Sequence, residues 1–472
     1  MRTLAATLDA AAVAFLAGRL NEAAALYRRA ERQAPDDVRA AYSLAVIDMQ
    51  RGRPDQAQQR LESVVALDPG LFHAWHNLGA ASQQLRRWER AAQAYGQALT
   101  LRPDAAETRH GLATALAALG RIQEAVAQHR ALAGALETRW RALTGIALLD
   151  AAAIGDAELA AMRAAAATPA LDQDTRIGLW FALGEALDVR NKLDEAFEAY
   201  FAGNALKRAA LGPAVEAAAR ANAAAAHAVM ARDTAARMAA RRGHPSAAPI
   251  FVVGFPRSGS TLIEQILASV PGVQALGETG AISTLAEAAH ATPRRLAVRC
   301  LQAMRGCGWD GTSRFVDKTL ENYLHVGLIA QMFPNATILH SVRDPVATGF
   351  ACFRQLFATG NETLYGLADI AAEYRRYRAL MAHWGEVLPD RVIDVGYEAL
   401  VADPERQIRW LVTEAAGLPW DPAALRFFER EGAVATASAT QVRKPIYATS
   451  VERWRRHESR LAPLVEGLRA LP

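Results

Sequence analysis

The residues that bear most directly on chemistry lie in "GFPRSGST", residues 254–261. Gly254, four residues, Gly259, Ser260 and Thr261 follow the spacing of a nucleoside-triphosphate loop, G-x-x-x-x-G-K-[ST], with Ser260 in the slot of the lysine. In such loops the lysine meets the β- and γ-phosphates and the following hydroxyl holds magnesium. Here the positive charge sits inside the loop instead, on Arg257. A planar guanidinium and two hydroxyls suit a donor with a single anionic group at the 5′ position. A sulfuryl group has one fewer negative charge than a phosphoryl group and needs less neutralisation, so no metal is required in principle. A kinase would call for magnesium and a loop lysine, and the lysine is missing.

"PIFVVGFPRSGSTLIEQIL" (249–267) resembles the 5′-phosphosulfate loop of sulfotransferases that use 3′-phosphoadenosine 5′-phosphosulfate. The resemblance implies that Arg257, Ser258, Gly259, Ser260 and Thr261 cradle the phosphosulfate. "ATIL" followed by Arg343-Asp344-Pro345 resembles the second signature of the family, in which an arginine at a strand end grips the 3′-phosphate. Its fork meets phosphate oxygens in a bidentate way. Family members usually place a serine eight residues further on; this chain has Ala351. A hydrogen bond to a charged group contributes roughly 1.5–3 kcal/mol, so donor binding weakens unless Arg354 or a downstream basic residue compensates. "GYEAL" resembles the family's Y-E-x-L segment and sets Tyr397 near the adenine. "TASATQVRKPIYATSVERW" resembles the segment of tyrosylprotein sulfotransferases that closes over the nucleotide, with Ser438, Arg443, Lys444 and Arg453 as its nucleotide-binding residues.

Two catalytic residues follow from the same resemblance. Glu278, in "QALGETGAI", is the base that takes the acceptor proton, a task that burial aids by raising a carboxylate pKa. Lys318, in "FVDKTLENYL", stabilises charge on the leaving phosphate, and Asp317 could hold it in place. His325 and His340, the nearest histidines for the alternative base of the small-molecule enzymes, read as structural. The acceptor pocket is expected in the loops after Glu278 and around 355–380, where Tyr365, Arg375 and Arg376 lie; a basic patch there would favour acidic acceptors, the alternative being a solvated helix face.

The elements that must position these groups are legible nearby. "IFVVG" is a short β-branched run typical of a buried parallel strand, and "STLIEQILASV" has helical periodicity. Strand, glycine-containing loop and helix is the geometry that points backbone N–H groups at an anion. Upstream, Pro35, Pro69 and Pro103 lie 34 residues apart. Gly18, Gly52 and Gly120 keep the same period, with Arg86 in the missing slot, and so do Ala23, Ala57, Ala91 and Ala125. Leu44, Leu78 and Leu112 add a further register. This segment resembles tetratricopeptide repeats. The period is lost after about residue 135, and 177–208 reads as one degenerate repeat. "RRGHPSAAP" (241–249) marks a boundary.

The expected architecture is multidomain. An all-α tetratricopeptide-repeat solenoid (1–140) and a helical extension (141–245) precede an α/β P-loop-like sulfotransferase domain with a central parallel sheet (246–472). The 472 residues allow two or three domains. With 51% hydrophobic and 22% charged residues they build ordinary globular cores. A net charge of +4 gives no reason to invoke nucleic acid or a membrane surface. Cys300, Cys307 and Cys352 form no disulfide framework and show no zinc spacing, which fits a reducing, cytoplasmic setting. No apolar run is long enough to span a membrane. The acceptor hydroxyl stays open: a protein or peptide tyrosine met through the repeat groove, a saccharide, or a small metabolite. The competing class is a repeat scaffold for protein partners with a degenerate nucleotide site, for which Ala351 is the one feature in favour.

Overall fold

The computed structural model describes residues 3–238, 243–287, 291–430, 432–434, 436, 439, 441–447 and 451–469. The chain forms two compact units, Met1–Leu149 and Asp150–Pro472.

In the first unit, helices α1 (Leu4–Leu16) and α2 (Leu20–Gln33), α3 (Val38–Gln50) and α4 (Pro54–Leu67), α5 (Phe72–Gln84) and α6 (Trp88–Leu101), and α7 (Ala106–Ala118) and α8 (Ile122–Leu132) make four successive hairpins, followed by α9 (Arg139–Leu149). The periodic residues explain the shape. Gly18, Gly52 and Gly120 take positive φ between the two helices of their hairpins, and Arg86 takes φ 56° at the equivalent turn despite its side chain. Ala23, Ala57, Ala91 and Ala125 are fully buried where paired helices approach. Tyr95 wedges between Gly79 and Gly111, where an added Cβ would stand 2.6 Å from its ring.

The second unit opens with α10 (Asp156–Ala167), α11 (Gln173–Asp188), α12 (Leu193–Leu211), α13 (Pro213–Arg232) and the single turn α14 (Ala235–Met238). The helices that read as a separate extension thus belong to the same compact unit as the sheet. Helices α11 and α12 repeat the hairpin pattern. Asn191 takes φ 60° at their turn, and Tyr200 packs on Gly184 as Tyr95 does on Gly79.

Five strands then form one sheet: β1 (Pro249–Gly254), β2 (Val273–Gly277), β3 (Arg314–Asp317), β4 (Thr337–Val342) and β5 (Val392–Gly396), in the order β2-β3-β1-β4-β5. Every pairing is parallel. All six residues of β1 are buried, as a central strand covered on both faces requires. One face packs Ile250, Val252, Val316 and Leu339 against Ile263, Ile266 and Leu267 of α15 (Ser260–Ala268). On the other, the ring of Phe251 lies 6.2 Å from that of Phe333. The chain leaves β1 for one half of the sheet and returns to its other side at β4, so the carboxyl end of β1 is the place where a ligand crevice forms. Among the described residues, no helix is long and apolar enough to cross a membrane.

Candidate functional site

The loop 255–259 occupies that crevice, and three side chains clip its backbone. Ser341 Oγ donates to the carbonyl of Ser258 at 3.0 Å. Arg343 Nη1 donates to the carbonyl of Arg257 at 3.1 Å. Cys352 Sγ donates to the carbonyl of Pro256 at 3.3 Å. Arg257 is held at φ 67°, a left-handed conformation uncommon for a side-chain-bearing residue, and this marks a site that the surroundings over-determine. Burial lowers the Arg257 pKa, and the charges of Arg343 and Arg354 add to the effect while Cys352 opposes it. The loop therefore favours an anion at its mouth.

Among the described residues, two clefts open on this loop, and Arg257, Gly259 and Thr261 line both. The first is strongly basic: Arg257, Arg343, Arg354, Lys444 and Arg453 line it, together with Tyr397 and Trp454. The guanidinium of Arg343 stands 4.7 Å from the centroid of the Tyr397 ring, stacked as a cation on an aromatic face. Gly259, at φ 105°, lies against the same ring, and an added Cβ would stand 2.6 Å from Tyr397 Cδ2. The cradle is thus built around a missing side chain. Ala351 also lines this cleft.

The second cleft holds Ser260, Glu278, Lys318 and Glu321, with Leu320 and Phe357 as apolar wall. Lys318 is buried to 1% exposure and its Nζ donates to Glu278 Oε1, while the Glu278 side chain is 50% exposed. Strand order brings them together: β2 and β3 are neighbours, Glu278 follows the last residue of β2, and Lys318 follows the last residue of β3.

Asp317 does not hold Lys318, contrary to expectation. Its carboxylate accepts from Thr279 Oγ1 at 2.8 Å, and from Thr319 N at 2.9 Å and Oγ1 at 2.7 Å. Asp317 thereby ties the segment carrying Glu278 to the end of β3. Burial raises its pKa against those hydrogen bonds.

Several assignments shift in the same way. Arg443 donates to the carbonyl of Gly432 at 2.8 Å and is not among the residues lining the first cleft, whereas its neighbour Lys444 is. The Ser258 side chain is buried behind the loop and lines neither cleft. Ser438 lies outside the described residues. Arg375 and Arg376 form no basic acceptor patch, because Arg375 donates to the carbonyl of Gly467 and Arg376 pairs with Glu373. Tyr365 is buried, with its Oη bonded to the backbone of Phe357. His340 is buried between Asp394, 2.7 Å away, and the Tyr377 hydroxyl. Burial pushes His325 down to about 4.

Two acidic groups near the second cleft carry no motif in the sequence. Glu264, buried in α15, accepts from Gly277 N at 3.0 Å, and burial raises its pKa against the charge of Lys318. The one signal for it is a carboxylate within the apolar run "STLIEQILA". Glu321 is raised by burial and by the charges of Glu278 and Glu362.

Comparison with known proteins agrees with both halves of the chain. Residues 249–422 match the sulfotransferase family, and residues 14–81 and 72–105 match tetratricopeptide repeats. An uncharacterized protein of Aquifex aeolicus (strain VF5) is 33% identical over 336 residues, covering 64% of this chain and 42% of its own length. Protein-tyrosine sulfotransferase 1 of Danio rerio is 25% identical over 241 residues, covering 43% of this chain and 65% of its own. This chain thus spans less than two thirds of either relative. Among solved structures, the sulfotransferase domain from the curacin biosynthetic pathway covers 48% of this chain and 98% of its own, at 16% identity and a TM-score of 0.36. The chain carries tetratricopeptide repeats at its N-terminal end and a sulfotransferase domain at its C-terminal end, and the latter is similar to protein-tyrosine sulfotransferases.

Proposed function

We propose that the second unit transfers a sulfuryl group from 3′-phosphoadenosine 5′-phosphosulfate to an acceptor hydroxyl. The observation that carries this is the pair of clefts meeting at Arg257, Gly259 and Thr261, one ringed by cations and the other holding Glu278 against Lys318. In the first cleft Arg343, Lys444 and Arg453 face the 3′-phosphate, and Tyr397 lies by the adenine. At the loop, Arg257 and the hydroxyls of Ser260 and Thr261 take the 5′-phosphosulfate, with backbone N–H groups at the start of α15. The donor supplies an activated sulfuryl group; the protein supplies position and charge. Glu278 accepts the proton of the acceptor hydroxyl. Lys318, freed from Glu278 as that carboxylate is protonated, neutralises the departing phosphate. Positive charge at the reacting centre comes from Arg257 and Lys318, so transfer proceeds without a metal.

Similarity to protein-tyrosine sulfotransferases favours a protein or peptide tyrosine as acceptor, and the tetratricopeptide repeats offer a surface for such a partner. Calorimetry in the presence of a chelator tests the donor assignment. Adenosine 3′,5′-bisphosphate should bind at least tenfold more tightly than ordinary ADP; equal binding of the two would reject the donor and favour the scaffold.

A further inference from the structure

Helices α11 and α12 come well before the strand on which the site is built, yet two carboxylates of α11 pair with arginines that line the first cleft. Asp188, the last residue of α11, has its side chain 1% exposed. Arg354 Nη2 lies 3.0 Å from its Oδ2 and Arg453 Nη2 lies 2.5 Å from the same atom. One helical turn earlier, Glu185 accepts from Arg354 Nη2 at 2.9 and 3.0 Å, and from Tyr200 Oη at 2.8 Å. The Arg354 guanidinium is also stacked between the rings of Tyr200, 5.3 Å away, and Phe350, 5.7 Å away. Farther along the hairpin, Arg460 pairs with Asp194 and Glu198, and the His457 ring packs on Phe197. The segment 453–460 is thereby held along α11–α12.

Two arginines that line the cleft together with Ala351 therefore converge on one buried carboxylate. Arg354 uses a single nitrogen for both carboxylates. Its Nε is buried without a hydrogen-bond partner among the described residues. Glu185, Tyr200 and Asp188 outweigh burial and raise the Arg354 pKa well above the ordinary value, so its charge is secure. Five cations against two carboxylates leave a positive excess suited to a phosphate dianion.

We propose that the helix pair α11–α12 forms the second half of the donor site, with Asp188 positioning Arg354 and Arg453 so that, with Arg343, they read the 3′-phosphate in place of the missing hydroxyl. This rests on the donor assignment above. The test is titration of adenosine 3′,5′-bisphosphate and of 5′-AMP into the full chain and its variants. If the wild type shows no preference for the bisphosphate, the donor assignment itself fails. Given that preference, Arg354→Met and Arg453→Met should each lower it about tenfold, as expected for a charged hydrogen bond to phosphate. Asp188→Asn should lower it severalfold, with 5′-AMP affinity within about twofold of wild type in all three. Equal weakening of both ligands would mean that the hairpin is merely structural. An unchanged or increased preference in Asp188→Asn would mean that the carboxylate competes with phosphate rather than aiming the arginines. Either result overturns the proposal. Should Asp188→Asn fail to fold, Arg453→Met, whose site is 31% exposed, carries the test.

Discussion

On the proposed mechanism, removing the Glu278 carboxylate should separate catalysis from binding and from stability. Glu278→Ala strands Lys318, a cation at 1% exposure. Breaking a buried ion pair from one side costs about 3–5 kcal/mol. Here the carboxylate is half in solvent and the charge of Glu264 also reaches Lys318, so a loss of about 1–2 kcal/mol is expected. Loss of a general base slows turnover roughly 10²- to 10⁴-fold, or about 3–5 kcal/mol of barrier. Nucleotide affinity should stay within about threefold of wild type, since Glu278 lines the second cleft and not the first. The double variant Glu278→Ala/Lys318→Met removes the stranded cation; it should regain most of the stability and none of the turnover. Denaturant unfolding, bisphosphate calorimetry and transfer of labelled sulfate from the donor to a tyrosine peptide read the three quantities. Turnover within tenfold of wild type in Glu278→Ala would refute its role as base. Parallel loss of nucleotide affinity and turnover would refute the separation of the clefts.

Two further outcomes follow from single positions. Gly259→Ala places a Cβ 2.6 Å from Tyr397 Cδ2 at φ 105°, where an L side chain costs about 1–2 kcal/mol before any displacement of the ring. Bisphosphate affinity should fall at least tenfold, and an unchanged dissociation constant would show that the loop does not form the cradle. In the first unit, burial, with the charges of His110 and Arg141, holds His129 down to about 4. The unfolded chain, at an ordinary pKa near 6.5, takes up the proton first. This residue's share of stability is therefore intact above pH 6.5 and is lost as pH falls toward 4, by about 2 kcal/mol between pH 7 and pH 5. Thermal unfolding at the two pH values should show that loss in the wild type and a smaller one in His129→Leu.

What the sequence determined by itself is local or periodic. The 34-residue recurrence of glycine, alanine and proline specifies hairpins because it sets where φ turns positive and where helices pack closely, and Arg86 adopts the glycine conformation at the equivalent turn. The apolar run before Gly254 specifies a central strand, and the loop after it the crevice at that strand's end. Such signals depend on a few consecutive residues and survive in a single sequence. Which charge meets which does not. Asp317 adjoins Lys318 in the chain, but successive residues at a strand end point to opposite faces, and strand order gives Lys318 to Glu278, 40 residues away. Arg443 and Lys444 diverge for a similar reason, one turned to the Gly432 carbonyl and the other to the cleft. The carboxylate shared by Arg354 and Arg453 comes from Asp188, the last residue of a helix whose own pattern reads only as a worn repeat. Only packing of that hairpin within the unit of the sheet places a buried negative charge there, and the energy of a charge is decided by its neighbours in space.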